Sequence, residues 1–575
     1  MLQTTTLPLV EAFPFLLETR YQAVLVLLLV PILTYIVTSI RSAIAVYGTC
    51  ERKPPILPYW IPWLGNLIAA GNPAKLAEDI TKRFGFSTPV RVRVGPVKGY
   101  LVSDASHFDV LLRGARNLNS SPGVILMLRN IFAVPQEACD FYSEDNSGIA
   151  STPLPGTTIP PHNRMAHLRH SAATKYLYGP HLRNMTDRFV KNYTKQISEF
   201  TEVGSEWVTY PDLVVWLQRF MFQAATSSLM GEHVFRINPD FSDDFWEFVS
   251  HLPTLVKAFP RWMNPKAWEA RGRCLRTIEK WHKHAWENVD HSTDDDDSVE
   301  YEEFFGARIM RVRYNYARKM ERMSDEARAA EDLAMVFAAN ANAVPAATWF
   351  ILEFLRDPEL LTRVRAEIDL ARLPAEKEGE LPRFDVTKLC EGVLLQSVWA
   401  ETLRLRVTLA LIRAPEKQDF KLGDWLFPKN DLIFLSSRTA AYNKDVWNQG
   451  YKDQEHPVDE FWADRFIVYP DDPASGPLKS PKLSSREVTE EKKKARFSTE
   501  GLAGAWVPFG GGVRMCPGRF FVKNEMMAAM ALLCSCYDIE LQTTEGWQPE
   551  ADMRFFATGT LPPKGEIPFR IRRIV

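Results

Sequence analysis

The residues with the clearest chemical potential lie near the carboxyl end of the chain, where residues 509–521 read FGGGVRMCPGRFF. Cys516 offers a thiolate, which is a strong metal ligand. The glycine run before it allows a tight turn and close approach of the backbone to a flat ligand. Arg514 can offer a fork of donors to a carboxylate. A helical pattern begins at about Arg519, so we expect its first amides to point at the sulfur and lower the pKa of the thiol.

Five positions of this segment match the haem-binding pattern Phe-x-x-Gly-x-Arg-x-Cys-x-Gly, and they are Phe509, Gly512, Arg514, Cys516 and Gly518. With these residues the chain resembles the cytochrome P-450 family. The resemblance implies that Cys516 is the axial ligand of haem b iron, that Arg514 pairs with a haem propionate and that Phe509 packs near the sulfur. A thiolate ligand pushes electron density to the iron and favours cleavage of the O–O bond.

A second pattern lies upstream, where residues 401–404 read ETLR inside a helical run predicted from about residue 387 to 406. Residues three apart share a helix face, so Glu401 and Arg404 can form an ion pair. Such pairs are common on ordinary helices, but at this place in the chain the pattern resembles the family's Glu-x-x-Arg motif.

A third pattern is FWADRF at residues 461–466, which resembles the family's Phe-x-Pro-Glu-Arg-Phe element with Ala463 for proline and Asp464 for glutamate. Arg465 keeps the arginine of that element. The resemblance implies a buried network of Arg465 with the Glu-x-x-Arg pair, which braces the haem loop. Arg413, in the segment LIRAPEK, is a second candidate for a propionate contact.

A long helix is predicted from Asp325 to Leu355, with Ser324 as its N-cap. It contains FAANANAVPAATW, where most monooxygenases of the family carry Ala/Gly-Gly-x-Asp/Glu-Thr. Ala341 occupies the position of the acid and Asn342 the position of the threonine. This Asn-x-x-Pro variant is similar to that of the sterol 7α-hydroxylase and prostacyclin synthase branch.

Pro345 has no N–H, so it leaves the carbonyl of Ala341 without its helical partner. We expect a kink and a polar groove beside Asn342, which the family places over the iron. Three interpretations follow. Asn342, the Ala341 carbonyl and a water replace the acid–alcohol pair as proton relay; or the kink has no chemical role; or no relay is needed, because the enzyme rearranges a peroxide that already contains the O–O bond.

The sequence provides only sets of candidate residues for the propionate contact from the earlier helix and for the substrate contacts. The family's usual Trp-x-x-x-Arg is absent, and the candidates in its place are His162, Arg164, His167, Arg169 and His170. Residues 119–161 are rich in Ser, Gly and Pro and are predicted as a long irregular loop. We expect the substrate to contact this loop and the residues Phe337, Ala338 and Thr408 to Leu411.

Residues 21–40, YQAVLVLLLVPILTYIVTSI, carry no charge and match the length of a membrane-spanning helix. A cleaved signal peptide is the alternative, because the small residues at 43–45 resemble a cleavage site. Signal sequences have a shorter apolar core and a basic start, whereas the start here is acidic, so an uncleaved anchor is favoured. Arg41, Arg52 and Lys53 follow the span and place the body in the cytosol by the positive-inside rule.

Charge and cysteine content limit the possible partners and the cellular compartment. The formal net charge of -2 over 575 residues gives no reason to expect a nucleic-acid partner. Seven widely spaced cysteines do not form a disulfide framework, which favours a reducing compartment. The charged segments 294–303 and 470–500 are predicted as solvent-exposed loops.

The resulting prediction is a mainly α fold with small β-sheets, the cytochrome P-450 fold, preceded by one transmembrane helix. Its parts are a lumenal segment 1–20, an anchor 21–40, a proline-rich linker 41–65 and a monomeric catalytic domain 66–575. The expected reaction inserts one oxygen atom of dioxygen into an apolar substrate such as a sterol, a terpenoid or another lipophilic metabolite, at the endoplasmic reticulum membrane. NADPH would supply electrons through a separate cytochrome P-450 reductase, since no flavin or nucleotide motif is found. The alternatives are an isomerase or dehydratase of oxygenated lipids, and a haem sensor without turnover.

Overall fold

The structure is a computed structural model that describes residues 12–47, 52–114, 118–294, 296–377, 379–479 and 494–574. Residues 1–11 of the predicted lumenal segment lie outside these ranges. The same is true of residues 480–493, which make up much of the charged loop predicted over 470–500.

Helices dominate the described chain, which confirms the predicted mainly helical class. They are α1 (Ala12–Tyr47), α2 (Leu67–Ala70), α3 (Pro73–Phe84), α4 (Ala105–Arg113), α5 (Ser121–Asn130), α6 (Gln136–Glu144), α7 (Met165–Tyr176), α8 (Gly179–Glu199), α9 (Leu213–Met230), α10 (His233–Ile237), α11 (Phe241–Ser250), α12 (Leu252–Leu255), α13 (Pro265–Asn288), α14 (Arg308–Arg318), α15 (Asp325–Asn340), α16 (Ala343–Leu355), α17 (Pro358–Asp369), α18 (Val386–Glu391), α19 (Val393–Arg406), α20 (Ser437–Ala441) and α21 (Arg519–Cys536).

Short strands form several small sheets. They are β1 (Val90–Val94), β2 (Val97–Val102), β3 (Leu118–Asn119), β4 (Val208–Tyr210), β5 (Tyr301–Glu302), β6 (Gly306–Ala307), β7 (Val407–Pro415), β8 (Phe420–Leu422), β9 (Trp425–Phe427), β10 (Leu432–Ser436), β11 (Gly450–Tyr451), β12 (Gln454–Glu455), β13 (Ile467–Val468), β14 (Arg496–Phe497), β15 (Tyr537–Leu541), β16 (Thr558–Thr560) and β17 (Phe569–Arg573). The largest sheet has the order β1-β2-β10-β7-β16, with β3 also paired to β7. β1 and β2 form the antiparallel hairpin that their alternating sequence predicts.

The two helices α15 and α16 pass through the core. Nearly every side chain of α16 is buried, and the helix packs against α9, α19 and α21. The 325–355 stretch is apolar and long enough to cross a membrane, but 78% of its apolar window is buried inside the protein, so it is a core helix. Ser324 caps α15 as predicted, because its hydroxyl accepts a hydrogen bond from the N–H of Ala327 at 3.2 Å.

The helix predicted as one element over 325–355 is broken in two. α15 ends at Asn340 and α16 begins at Ala343, so the kink expected near Pro345 takes the form of an interruption. The N–H of Ala346 bonds to the carbonyl of Asn342 at 3.1 Å and starts the second helix. Proline is tolerated in this first turn because the N–H groups there have no partner within α16 itself.

The prediction of a long irregular loop over 119–161 holds for residues 145–160 and is wrong for most of residues 121–144. The segment holds α5 and α6, and Pro122 lies at the start of α5, where proline favours a helix. Gly123 lies against strand β7, since a Cβ there would be 3.1 Å from the side chain of Ile412. Some of the Ser, Gly and Pro residues that suggested an irregular loop therefore start a helix or allow close packing.

The acidic segment 294–303 is also more ordered than a solvent-exposed loop. The Asp294 carboxylate accepts hydrogen bonds from Arg311 Nε and Asn315 Nδ2, both at 2.9 Å, and Arg311 is fully buried. Residues 301–302 form strand β5. The acidic residues thus supply the counter-charge for a buried arginine.

The amino-terminal helix α1 is longer than the predicted span and has its apolar, largely exposed window at Leu27–Val46. Tyr35 stacks on Trp60 with ring centroids 4.3 Å apart. The Thr38 hydroxyl oxygen accepts a hydrogen bond from the N–H of Tyr59 at 3.3 Å. An apolar helix that is open to its surroundings suits a membrane anchor.

Candidate haem-thiolate site

Cys516 lies between a short 3-10 turn, Gly512–Arg514, and the start of α21. Its backbone N–H donates to the carbonyl of Phe509 at 2.9 Å, which closes the loop. Gly512 has a φ of 66°, and a Cβ there would lie 2.1 Å from the carbonyl oxygen of Leu112. Only glycine fits at this position, so the loop packs directly on the end of α4.

The first amides of α21 point at the sulfur of Cys516, as the sequence predicts. The expected lowering of the pKa of the Cys516 thiol is not seen, because desolvation raises that pKa above its ordinary value and outweighs the hydrogen bonds from the N–H groups of Gly518 and Arg519 and the charge of Arg519. The cysteine is free and exposed. A free sulfur at the positive end of a helix is well placed to bind a metal as thiolate.

Aromatic residues pack the loop around Cys516 against α19. Phe509 stacks on Trp399 of α19 with ring centroids 5.9 Å apart, and Trp506 packs edge-on against Trp399 at 5.7 Å. The indole N–H of Trp506 donates to the carbonyl of Ala400 at 3.1 Å. The haem-loop motif and the Glu-x-x-Arg helix are thereby in direct contact.

The structure brings Glu401, Arg404 and Arg465 together, and all three side chains are 0% exposed. Arg404 binds both carboxylate oxygens of Glu401, at 2.7 and 2.8 Å, and Arg465 Nε binds Oε1 at 2.8 Å. The other N–H groups of these two arginines donate to backbone carbonyls, including the bonds from Arg404 Nη1 to the carbonyls of Ala441 and Val458 at 2.7 Å. The buried charges are therefore paired and hydrogen-bonded, which is the condition for their stability.

Burial alone would raise the pKa of the Glu401 carboxyl, but the charges and hydrogen bonds of Arg404 and Arg465 outweigh it and hold that pKa below its ordinary value. The carboxylate is thus ionised and serves as the counter-charge of two arginines.

Arg413 and Arg514 are cations without a counterion in the described part of the chain. Neither forms an ion pair there, and the only hydrogen bond that Arg413 donates within it goes to the carbonyl of its neighbour Ile412 at 2.9 Å. Burial, and then the charge of Arg514, lower the pKa of Arg413 to about 10, while burial and the charge of Arg169 lower the pKa of Arg514. A bound anion would relieve the repulsion between these two like charges. The two propionates of a haem supply that charge, so the residues fit the cofactor.

Of the early candidates for a propionate contact, three are engaged elsewhere. Arg164 Nη1 donates to the carbonyl of Ser151 at 2.7 Å, and His167 Nδ1 lies 3.0 Å from the carbonyl of Ile149, so both hold the segment before α7. His162 lies 3.6 Å from Glu321.

Arg169 is also engaged, because it lies 3.7 Å from the buried Glu331 and donates to the hydroxyl of Tyr142 at 3.2 Å. His170 lies close to Arg514, for its burial and the charge of Arg514 lower the pKa of the imidazole. Since no side-chain hydrogen bond or ion pair engages His170 within the described residues, it is the early candidate that can join the arginine pair.

The break between α15 and α16 places Ala338, Ala341 and Asn342 along one edge. Ala338 is exposed in the middle of an otherwise buried helix, which marks an open space on that side. Asn342 Oδ1 accepts a hydrogen bond from the backbone N–H of Thr560 at 2.9 Å. The carbonyl of Ala341 has no helical partner because Pro345 has no N–H.

Among the substrate candidates, Phe337 is 6% exposed and lies in an aromatic cluster. Its ring packs edge-on against Phe132 at 5.3 Å and Phe248 at 6.3 Å. The cluster joins α15 to α11 and to the end of α5, so that Phe337 ties together the elements that surround Ala338.

Thr408 and Leu411 lie on β7 but differ in role. The Thr408 hydroxyl accepts from the N–H of Ala557 at 3.1 Å and donates to the carbonyl of Gly559 at 3.3 Å, and the residue is 1% exposed. Leu411 is half-buried and lies next to the haem loop, 3.8 Å from a Cβ built on Gly510. Leu411 can thus contact a ligand, whereas Thr408 is committed to the neighbouring turn.

Sequence reasoning missed residues 557–561. Their segment contacts both β7 and the distal helix break, and the indole N–H of Trp349 donates to the carbonyl of Leu561 at 2.7 Å. The signal available was Gly559 within Thr558–Thr560, because glycine in a strand often marks close approach of another group.

The chain matches the family model described as cytochrome P-450 over residues 155–452 and 490–569. It is 34% identical to the cytochrome P-450 monooxygenase efuG of Hormonema carpetanum, over 91% of this chain and 90% of that protein. It is 36% identical to the cytochrome P-450 monooxygenase fsoE of Humicola fuscoatra, over 91% and 88%. A more distant relative is cytochrome P-450 7A1 of Oryctolagus cuniculus, 23% identical over 90% and 93%. The solved structure of a retinoic acid-bound cyanobacterial CYP120A1 has the same fold, with a TM-score of 0.61 and 18% identity over 91% of this chain and 99% of that one.

The fold, the loop around a free cysteine and the family match define a haem-thiolate enzyme. The chain belongs to the cytochrome P-450 family, and it is a monooxygenase of that family. The predicted similarity to the sterol 7α-hydroxylase branch is confirmed as a distant one.

Proposed function

We propose that this protein is a membrane-anchored monooxygenase that inserts one oxygen atom of dioxygen into a lipophilic metabolite, such as a sterol or a terpenoid, with Cys516 as the iron ligand. NADPH supplies the electrons through a separate cytochrome P-450 reductase. The second oxygen atom leaves as water. The anchor is α1, and the catalytic domain lies on the cytosolic side of the endoplasmic reticulum membrane.

The observation that carries this proposal is the loop around Cys516. A free, exposed sulfur meets the first amides of α21, and Arg413 and Arg514, which act on each other electrostatically, form no ion pair among the described residues. A dianionic ligand that carries a thiolate-binding metal would satisfy both parts at once. The Glu401 network fixes the loop from the opposite side, because its aromatic neighbour Trp399 stacks on Phe509.

When bound, the haem supplies the binding and cleavage of dioxygen. The chain's own residues hold it in place through Cys516, Arg413, Arg514 and His170. At the distal helix break, the amide N–H group of Asn342 can donate to a water, and the carbonyl of Ala341 can accept from the same water. This pair replaces the usual acid and alcohol as the route by which a proton reaches the site.

The apolar surroundings favour an apolar substrate. Phe337 and its aromatic partners lie behind the exposed Ala338, and Leu411 faces the haem loop from β7. A substrate dissolved in the bilayer would reach such a site from the membrane to which α1 holds the domain. An apolar site accepts such a substrate without exposing its apolar surface to water on the way.

Cys516→Ala tests the ligand directly. The reduced, carbon monoxide-bound wild type should show the long-wavelength Soret band of a thiolate-ligated haem, and the variant should lose it. Cys390→Ala is the matched control, because Cys390 is a half-buried free cysteine that bonds Asn524 instead. Retention of the band in Cys516→Ala, or its loss in both variants, would contradict the assignment of the ligand.

A mass comparison of metabolites tests the reaction. Host cells that carry a working copy of the chain should convert a compound into a product heavier by one oxygen atom, and purified protein should need NADPH and reductase for this step. If the compound that accumulates without the chain is an isomer of the lost product, and conversion proceeds without a reductant, the peroxide-rearrangement alternative replaces the proposal.

A further inference from the structure

Among the described residues, the strand β16 lies at the edge of the largest sheet, and no further described strand pairs with one row of its backbone groups. Gly559 is opposite Thr408 of β7, and the N–H of Leu561 donates to the carbonyl of Arg406 at 2.9 Å. In an antiparallel pair alternate residues face the partner strand, so the N–H of Thr560 points to the open side.

A side chain of the distal helix occupies that open side. Asn342 Oδ1 accepts the N–H of Thr560 at 2.9 Å and so stands where a further strand would supply a carbonyl. Gly559 has a φ of 143°, and a Cβ there would lie 1.9 Å from Asn342 Oδ1. The two residues therefore fit together only while position 559 has no side chain.

A second contact holds the same segment further along the helix. The indole N–H of Trp349 donates to the carbonyl of Leu561 at 2.7 Å. The Trp349 ring also lies 3.7 Å from the guanidinium of Arg406, whose charge is paired with the buried Glu353 at 3.0 Å. Leu561 is thus fixed by groups that do not depend on Asn342, whereas the N–H of Thr560 depends on it.

We propose that Asn342 is a positioning residue that fixes the segment 557–561 against the helix break, and that it presents only a hydrogen-bond donor to the substrate pocket. Its Oδ1 accepts the N–H of Thr560 and is covered by Gly559, so its Nδ2 group is what a ligand can meet. The ligand class that suits this donor is an apolar molecule carrying an acceptor oxygen, a hydroxyl or a carbonyl, near the position that is oxidised. This inference rests on the proposed function only for the location of the pocket; the contact between helix and strand stands without it.

Hydrogen exchange of the full-length holoprotein in detergent tests the contact without any substrate. Asn342→Ala removes the acceptor, and a single hydrogen bond of about 1 kcal/mol predicts about fivefold faster exchange in peptides that cover residues 557–561. Asn342→Asp keeps an acceptor oxygen and should restore the slow exchange. Asn340→Ala is the control, since Asn340 is a buried amide two residues away that bonds Thr226 Oγ1 at 3.2 Å and not the strand.

Ligand binding tests the positioning role. Imidazole is small enough to bind the haem iron without reaching the segment 557–561, whereas the phenyl group of 4-phenylimidazole extends into the pocket. The ratio of the two affinities, read from Soret shifts, should change about fivefold in Asn342→Ala and return in Asn342→Asp. The imidazole affinity alone reports whether the haem site is intact, so a failure of the proposed haem ligation is recognised separately.

Three results would overturn the inference. The first is unchanged exchange and an unchanged affinity ratio in Asn342→Ala. The second is an equal effect of Asn340→Ala, which would mean that any loss of a buried amide loosens the helix. The third is failure of Asn342→Asp to restore either measurement, because the acceptor oxygen would then not be what holds Thr560.

Discussion

The thiolate side and the distal side of the site are built on different principles. On the thiolate side three charged residues, Glu401, Arg404 and Arg465, are completely buried and satisfy one another and the backbone. On the distal side a broken helix meets an edge strand through the side chain of Asn342 and the indole of Trp349. The first arrangement fails if any member is lost, whereas the second can change one contact at a time. A family that keeps its metal ligand but varies its chemistry needs this division.

The largest effect is expected from Glu401→Gln, which tests the thiolate side because it leaves two buried arginines without their counter-charge. We expect a loss of about 3–5 kcal/mol in the free energy of unfolding at about pH 7, measured by denaturant titration of the holoprotein. The pKa of Glu401 is lowered below 4.5, so its contribution is fully present above that value and is lost as the pH falls through the folded-state pKa. The difference between variant and wild type should therefore shrink in acid.

Glu525→Gln is the matched control, because Glu525 is equally buried but has no hydrogen-bond partner in the described chain. Burial raises the pKa of its carboxyl well above 4.5, so the folded protein holds a neutral acid and is penalised as the pH rises. The variant should be at least as stable as the wild type at neutral pH. An equal loss in both variants would mean that burial of a glutamate, and not its pairing with arginine, sets the result.

Phe337→Ala tests how much the aromatic cluster on the distal side contributes to stability and ligand binding. Removing a buried ring that packs on Phe132 and Phe248 should cost about 3 kcal/mol of stability and weaken the binding of an apolar ligand such as 4-phenylimidazole. Phe337→Leu keeps most of the apolar volume and should cost about half as much. Unchanged ligand affinity in Phe337→Ala would remove this residue from the substrate contacts.

Pro345→Ala should have the smallest effect on stability. The new N–H can bond to the carbonyl of Ala341, and we expect a gain of under about 1 kcal/mol because the proline lies in the first turn of α16. The same bond removes the acceptor proposed to hold a water. Reductase-driven turnover should then release more hydrogen peroxide per NADPH consumed, while the thermal midpoint stays the same or rises. Unaltered peroxide release would show that the Ala341 carbonyl takes no part in proton delivery.

The sequence predicts the thiolate side well because its residues are dense in the chain and their spacing is fixed. Phe509, Gly512 and Cys516 fall within eight residues of one another, and the helix geometry alone brings Glu401 to Arg404. The partner of Asn342 could not be predicted in this way, since Thr560 lies 218 residues further along and donates through its backbone. No side-chain type marks such a donor. Likewise, Pro122 on its own indicates a loop. Proline also occurs in the first turn of a helix, and the sequence pattern alone does not distinguish the two cases.

The stack of Tyr35 on Trp60 has a consequence for depth in the bilayer. Tyr35 lies 12 residues before the end of α1 at Tyr47, a rise of roughly 18 Å at ~1.5 Å per residue. The chain that follows must descend by the same amount to bring Trp60 back beside Tyr35. The last turns of α1 therefore run alongside the segment that holds the exposed Trp60 and Trp63, and with α1 as the proposed anchor these two indoles would lie at the level of the lipid.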